Sequence, residues 1–143
     1  MKVALIGCGK SKLNRPAAAR DLYTGQLFRA TRTWAEANCD QWYILSAKHG
    51  LVAPEEWHEP YNVTLNTMSR EDRQKWGYVV LHQIWRAVSI PSEIVFLAGR
   101  AYREYLIEPL DLQYTVTCPL AHLGIGQQIA WLLKQAQAQM PLL

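Results

Sequence analysis

The sequence predicts an α/β protein of one domain, residues 1–143, built as a three-layer helix-sheet-helix sandwich on a mostly parallel four-stranded sheet. Two observations carry that prediction. Four short apolar runs, at residues 2–8, 41–46, 93–98 and 113–117, alternate with stretches of helical period. Strands separated by helices pair in parallel through right-handed crossovers, which leaves helices on both faces of the sheet. A third observation places the interesting end of the molecule: each of the four runs is followed by a polar or glycine-containing turn.

The first run, KVALIGC, closes in Gly7-Cys8-Gly9, where glycines let the backbone approach another group, and Lys10, Ser11 and Lys12 follow at once. An irregular stretch through Pro16 reaches Tyr23. Thr24 then suits the cap of a helix over residues 25–38, with Leu27, Phe28, Ala30, Thr31, Trp34 and Ala35 on one face. The second strand, at residues 41–46, ends abruptly in Ser46, Lys48, His49 and Gly50. A long loop rich in prolines and aromatics follows, including Pro54, Trp57 and Pro60-Tyr61, and loops of that kind are disproportionately functional.

Ser69-Arg70-Glu71-Asp72 resembles a capping box and opens a helix over residues 69–88, with a stripe of Trp76, Val79, Val80, Gln83 and Ile84 and an internal weak point at Gly77. Ile90-Pro91 ends it. The third strand stops before Gly99, and a short helix then starts at Arg100, Tyr102 and Arg103. The fourth strand runs into CPLAHLGIGQQ and a last helix over residues 125–138 with Ile129, Leu132, Leu133 and Ala136 inward. Residues 140–143 read as a loosely held tail.

Composition narrows the function classes. The chain is 50% apolar and 19% charged, with net charge +3 and pI about 8.8, which suits a globular domain and permits phosphate contact without demanding it. Three separated cysteines, Cys8, Cys39 and Cys118, form neither a disulfide framework nor a zinc knuckle, so a reducing cytoplasm is the simplest setting. No run is long enough for a membrane span. No His/Asp/Glu spacing suggests a metal, no organic cofactor is expected, and no segment marks a subunit interface.

In parallel sheets ligands sit beyond the carboxyl ends of the strands, so residues 7–12, 46–61, 99–103 and 118–127 are expected to converge on one edge. Residues 7–12 are an anion nest or an ordinary tight turn. They lack the spacing of a Walker A loop and the third glycine of the dinucleotide fingerprint, which disfavours ATP and NAD. Cys8 and Cys118 close strands as nucleophiles or as small hydrophobes. His49 is an acid/base or hydrogen-bond donor, or else a residue that staples its loop; His122 lies at a similar level, and His58 and His82 read as exposed or helical. Tyr23, Trp57 and Tyr61 either stack on a flat base or pin the loop to the domain. Seven basic residues, Lys10, Lys12, Arg15, Arg20, Lys48, Arg100 and Arg103, fall on this edge with few acids, which favours an anionic ligand.

Ser46-Ala47-Lys48-His49-Gly50-Leu51-Val52, followed by Pro60-Tyr61 and Thr64-Leu65, resembles a family of small bacterial and phage proteins. Its C-x-K-x-K and L-Y-x-x-x-x-F patterns are matched by residues 8–12 and by Leu22-Tyr23 with Phe28. More distantly, the pattern is similar to the YaaA family of peroxide-stress proteins and to the deazaguanine-acting domain of archaeosine synthase. That resemblance implies a uracil-DNA-glycosylase-like fold, with residues 8–12 and 119–124 flanking a base pocket. It implies a nucleobase- or nucleotide-directed enzyme, an N-glycosylase-like or base-modifying hydrolase, whose partner is a nucleobase, nucleotide or nucleic acid. Ser46, Lys48 and His49 would contact the base or leaving group, and Tyr61 would stack. Lys10, Lys12 and Arg100 would hold phosphate. Cys8, Ser11, Tyr23, Asn62, Gly99 and His122 complete the expected binding set. The alternative is a non-catalytic module that binds modified or damaged strands.

Overall fold

The computed structural model describes residues 1–138; the tail at residues 140–143 lies outside them. The first apolar run is β1, Lys2–Gly7, and it is the central strand. Val3, Ala4, Leu5 and Ile6 are all fully buried, which is why the run is continuously apolar: both faces of the strand are covered. Strand β3, Gln41–Ser46, pairs parallel to one side of β1, and β6, Glu93–Leu97, pairs parallel to the other. Strand β7, Thr115–Thr117, extends the sheet parallel to β6.

The sheet has a fifth strand that the sequence reading leaves in a loop. Strand β4, Gly50–Val52, folds back antiparallel on β3, giving the order β4-β3-β1-β6-β7. Its three residues are too few to show alternation. What makes the reversal is Gly50 at φ +72, a left-handed conformation that side chains resist. The rest of the long loop is tied down by a two-stranded sheet, β2 (Ala17–Ala18) with β5 (Trp57–His58), and by Ala19 N–H donating to Glu56 O at 2.7 Å.

The helices follow the sequence periodicity with four differences. Helix α2, Gln26–Asn38, buries Phe28, Thr31 and Ala35, but its cap is Gly25, while the Thr24 amide donates to Ser11 O at 3.0 Å. Helix α3, Arg70–Ala87, is capped by Ser69, whose hydroxyl accepts from Asp72 N–H at 3.1 Å. Its Gly77 is a point of close approach rather than a weakness, because an added Cβ would lie 3.0 Å from Tyr105 Cβ, and Val79 points outward at 55% exposure. In helix α6, Ile125–Ala138, Leu132 is buried, but Leu133 is 53% exposed: with Ile129 and Ala136 it lines a groove against α2. The described residues also form three short α-helices: α1, Ala19–Leu22; α4, Arg100–Arg103; and α5, Ile107–Asp111. No helix among the described residues is long and apolar enough to cross a membrane.

The order of connections decides where the carboxyl edge opens. The chain leaves β1 toward β3 and leaves β6 toward β7, so the connections after these neighbouring strands diverge. Divergence opens a crevice at the carboxyl ends of β1 and β6, the switch point where parallel sheets take ligands.

Candidate functional site

Two clusters occupy the carboxyl edge, one on each side of β1. In the crevice between β1 and β6 lies a cavity of about 240 Å³. Gly7 and Gly9 from the turn after β1, and Leu97, Ala98 and Gly99 from the end of β6, form two of its walls. Leu27, Phe28 and Thr31 of α2, with Ile125 and Gln128 of α6, form another; Asn66 and Tyr102 complete it. None of these twelve residues carries a charge. A Cβ added to Gly9 or Gly99 would meet nothing within 4 Å, so neither glycine is small because the fold crowds it. At Gly9 the backbone conformation, φ +73, accounts for glycine. At Gly99 no such reason exists, since its φ is −64.

Tyr102 joins the cavity to the second cluster. It is 9% exposed, and its Oη accepts from Leu65 N–H at 3.3 Å and from the Cys8 thiol at 3.9 Å. Burial, reinforced by the neighbouring Cys8, pushes its phenol above the usual tyrosine range.

The second cluster lies between the ends of β1 and β3. Ser46 is fully buried, and its Oγ accepts from the backbone N–H groups of Lys48 at 3.3 Å and His49 at 3.1 Å. With both lone pairs taken, its proton goes to Tyr61 Oη, 2.5 Å away. Tyr61 Oη in turn lies 2.6 Å from Tyr23 Oη. The Ser46 carbonyl is also engaged, accepting from Trp76 Nε1–H at 2.9 Å. Burial, opposed by the hydrogen bond to Tyr61, raises the Tyr23 phenol to about 12, and burial drives Tyr61 further up still. These phenols are held neutral.

Around this neutral core stand cations. Lys12 Nζ sits 4.4 Å from the Tyr61 ring centroid and 5.6 Å from that of Tyr23, and it donates to Lys10 O at 3.1 Å. Burial holds the Lys12 ammonium below the usual lysine range, with Cys8 pulling the other way. Lys48 Nζ is 6.0 Å from the same Tyr61 ring. His49 meets Tyr61 edge-on at 5.4 Å and stacks on His58 at 4.1 Å. Burial lowers the His49 imidazole, and His58 and Lys48 lower it further, against a smaller opposite effect of Glu56.

Several expected site residues therefore have other places. Ser46, Lys48 and His49 do not line the cavity, because the chain after β3 turns into a hairpin away from it. Ser46 is the keystone of that hairpin, with its hydroxyl consumed. Of the expected binding residues only Gly99 lines the crevice; Cys8 lies beneath Tyr102, and Tyr23 and Tyr61 belong to the second cluster. Lys10, Ser11, Asn62 and His122 are exposed, as is Arg100, which pairs with Glu104 at 3.7 Å. Trp57 is 70% exposed.

His58 is the reverse case. Read from sequence as exposed or helical, it sits in β5 with its side chain 19% exposed, its Nε2 buried without a hydrogen bond and 3.4 Å from Glu56 Oε1. The sequence reading also leaves Asn66 and Gln128 out of the site. Phe28 and Thr31 carried a signal, since both lie on the inward face of α2, whereas Asn66 carried none. Among the described residues no group of three or more His, Cys, Asp or Glu could hold a metal ion.

The chain is similar to the uncharacterized protein YfjM of Bacillus subtilis (strain 168), with 28% identity over 141 residues that cover 90% of each chain. A model of a family of unknown function, DUF6884, matches residues 3–134, nearly the whole chain, and the protein belongs to that family.

Proposed function

We propose that this protein binds a nucleobase in the crevice between β1 and β6 and acts on the base or on its N-glycosidic bond. The observation that carries this reading is the chemistry of the cavity. It is smaller than the 300–1,000 Å³ or so of pockets for drug-sized ligands, it is wholly uncharged, and it offers Asn66, Gln128, Thr31 and Tyr102 beside apolar walls. A neutral, planar ring bearing hydrogen-bonding edges matches such a lining better than a sugar or a carboxylate does. Gly99, unexplained by the fold, leaves room for close approach of that ring to the backbone. The resemblance to base-handling proteins with a uracil-DNA-glycosylase-like fold agrees with it. The three free cysteines suit a reducing cytoplasm.

One observation favours a second reading, a module that binds modified or damaged strands without cleaving them. No carboxylate lines the crevice, so nothing there activates water or an attacking group. A single assay separates the two. The protein is incubated with labelled DNA and RNA carrying modified bases, and both strand retention and free base are measured. Release of base supports the enzyme; retention that weakens with salt and releases no base supports the module. Neither retention nor release, with free bases and nucleosides also failing to bind, would sink both.

A further inference from the structure

The two lysines beside the Tyr61 ring have no carboxylate partner among the described residues, the nearby Glu56 being engaged with His58. Among the described residues, neither Lys12 nor Lys48 forms an ion pair, although acids elsewhere are paired freely, as Asp21 is with Arg20 and Arg32. Two ammonium groups directed at one ring repel each other, and Lys12 bears a desolvation cost as well. The Tyr61 ring is attractive to cations, but a cation–π contact is worth only about 0.5–2 kcal/mol. Like charges gathered without a partner favour an anionic ligand.

We infer that Lys12 and Lys48, arrayed around the Tyr61 ring, bind a phosphate group, so that the ligand whose base enters the crevice is a nucleotide rather than a free base or nucleoside. This rests on the base reading of the crevice. The two sites are adjacent: Gly7 and Gly9 wall the crevice, and Lys12 follows three residues after Gly9. Cys8 ties this turn to the crevice, since its thiol donates to Tyr102 Oη, a crevice residue. The crevice lining carries no side-chain charge to match a charged ligand group, whereas the lysine pair puts uncompensated positive charge beside it. Arg100, expected from sequence to share this task, spends its charge on Glu104.

The test compares affinities, by titration calorimetry, of the full chain for nucleosides, the matching nucleoside 5′-monophosphates, inorganic phosphate and a short single strand of mixed sequence. The expected result is that adding phosphate tightens binding about tenfold or more. Lys12→Gln and Lys48→Gln should each reduce the ratio of nucleotide to nucleoside affinity, with the double variant bringing it near one. Lys12→Arg should restore most of it, and thermal melting of each variant checks that the fold survives. Equal affinity for nucleoside, nucleotide and single strand in the unaltered protein, or a gain that survives the double substitution, overturns the proposal, as does failure of every probe to bind.

The failures of the two readings differ. If nucleosides do not bind but inorganic phosphate does, and is lost in the double variant, the crevice reading falls and the phosphate site stands. If nucleosides bind and phosphate adds nothing, the reverse holds. A gain confined to the single strand identifies the phosphate as part of a nucleic acid; a gain shared by the monophosphates identifies a free nucleotide.

Discussion

The two sides of β1 end in opposite ways. Toward β6 the strands part, and the gap is left open, uncharged and walled by glycines. Toward β3 the space is filled by Ser46, Tyr61 and Tyr23, a hydrogen-bonded chain whose buried phenols are held neutral. Both lie at the carboxyl edge of the same sheet. The connections make the difference: they diverge after β1 and β6, whereas the chain after β3 folds back at once as a hairpin and brings the loop through Tyr61 over the gap. The strand-end rule points to the carboxyl edge, and the path of the connections decides which gap along it stays open.

The sharpest way to break this comparison is to fill the open side. Gly99→Leu places a side chain where nothing stands within 4 Å of the Cβ and the backbone is ordinary. It is expected to abolish nucleoside binding in the titrations above while lowering stability by no more than about 1 kcal/mol. Unchanged binding would mean the ligand lies elsewhere.

The closed side should respond in stability. Tyr61→Phe strands the Ser46 proton and removes a partner from Tyr23, at an expected cost of about 1–3 kcal/mol in denaturant unfolding. Gly50→Ala forces a side chain into φ +72 and against Gln83 Oε1, the acceptor of Leu51 N–H, so it costs about 1–2 kcal/mol from conformation alone. If Tyr61→Phe left stability untouched, the tyrosine chain would have to be reassigned from structure to chemistry.

Two titrations probe the same contrast with smaller effects. Tyr23 is raised from 10.0 to about 12, so the folded state holds its proton longer than the unfolded chain does. Stability should therefore fall as pH rises from 10 to about 12, and ultraviolet titration should show phenols that ionise late; Tyr23→Phe should remove part of that fall. His49 is shifted the other way, below 6.5, so the unfolded chain takes up its proton first on acidification. Stability should drop as pH falls from the ordinary histidine value through that of folded His49, and His49→Gln should flatten the profile. A profile unchanged by His49→Gln would place the acid sensitivity elsewhere.

Much of the scaffold was legible because burial on both faces leaves a contiguous signature. Residues 2–8, 41–46 and 93–98 stand out as apolar runs and are strands β1, β3 and β6 to within one residue, and Ser69 announces α3 by its cap. Strand β4 and the β2–β5 pair were not legible, since two or three residues cannot display a period of two. The candidate site was half legible. Tyr23, Tyr61, Lys12 and Ser46 were singled out, but as ligand contacts rather than as one network, and Asn66 gave no sign at all.

By itself the sequence determined which segments are strands and helices and which turns end them, since apolar period and capping act over neighbouring residues. It also placed Lys12, Lys48 and Tyr61 in segments that follow strands. Only the tertiary structure decided that Ser46 meets Tyr61 across 15 positions and Tyr23 meets Tyr61 across 38, and that Gly99 faces empty space. The reason is that such contacts are set by strand order and by the course of the crossovers. Those are properties of the whole sheet, and no local window of residues carries them.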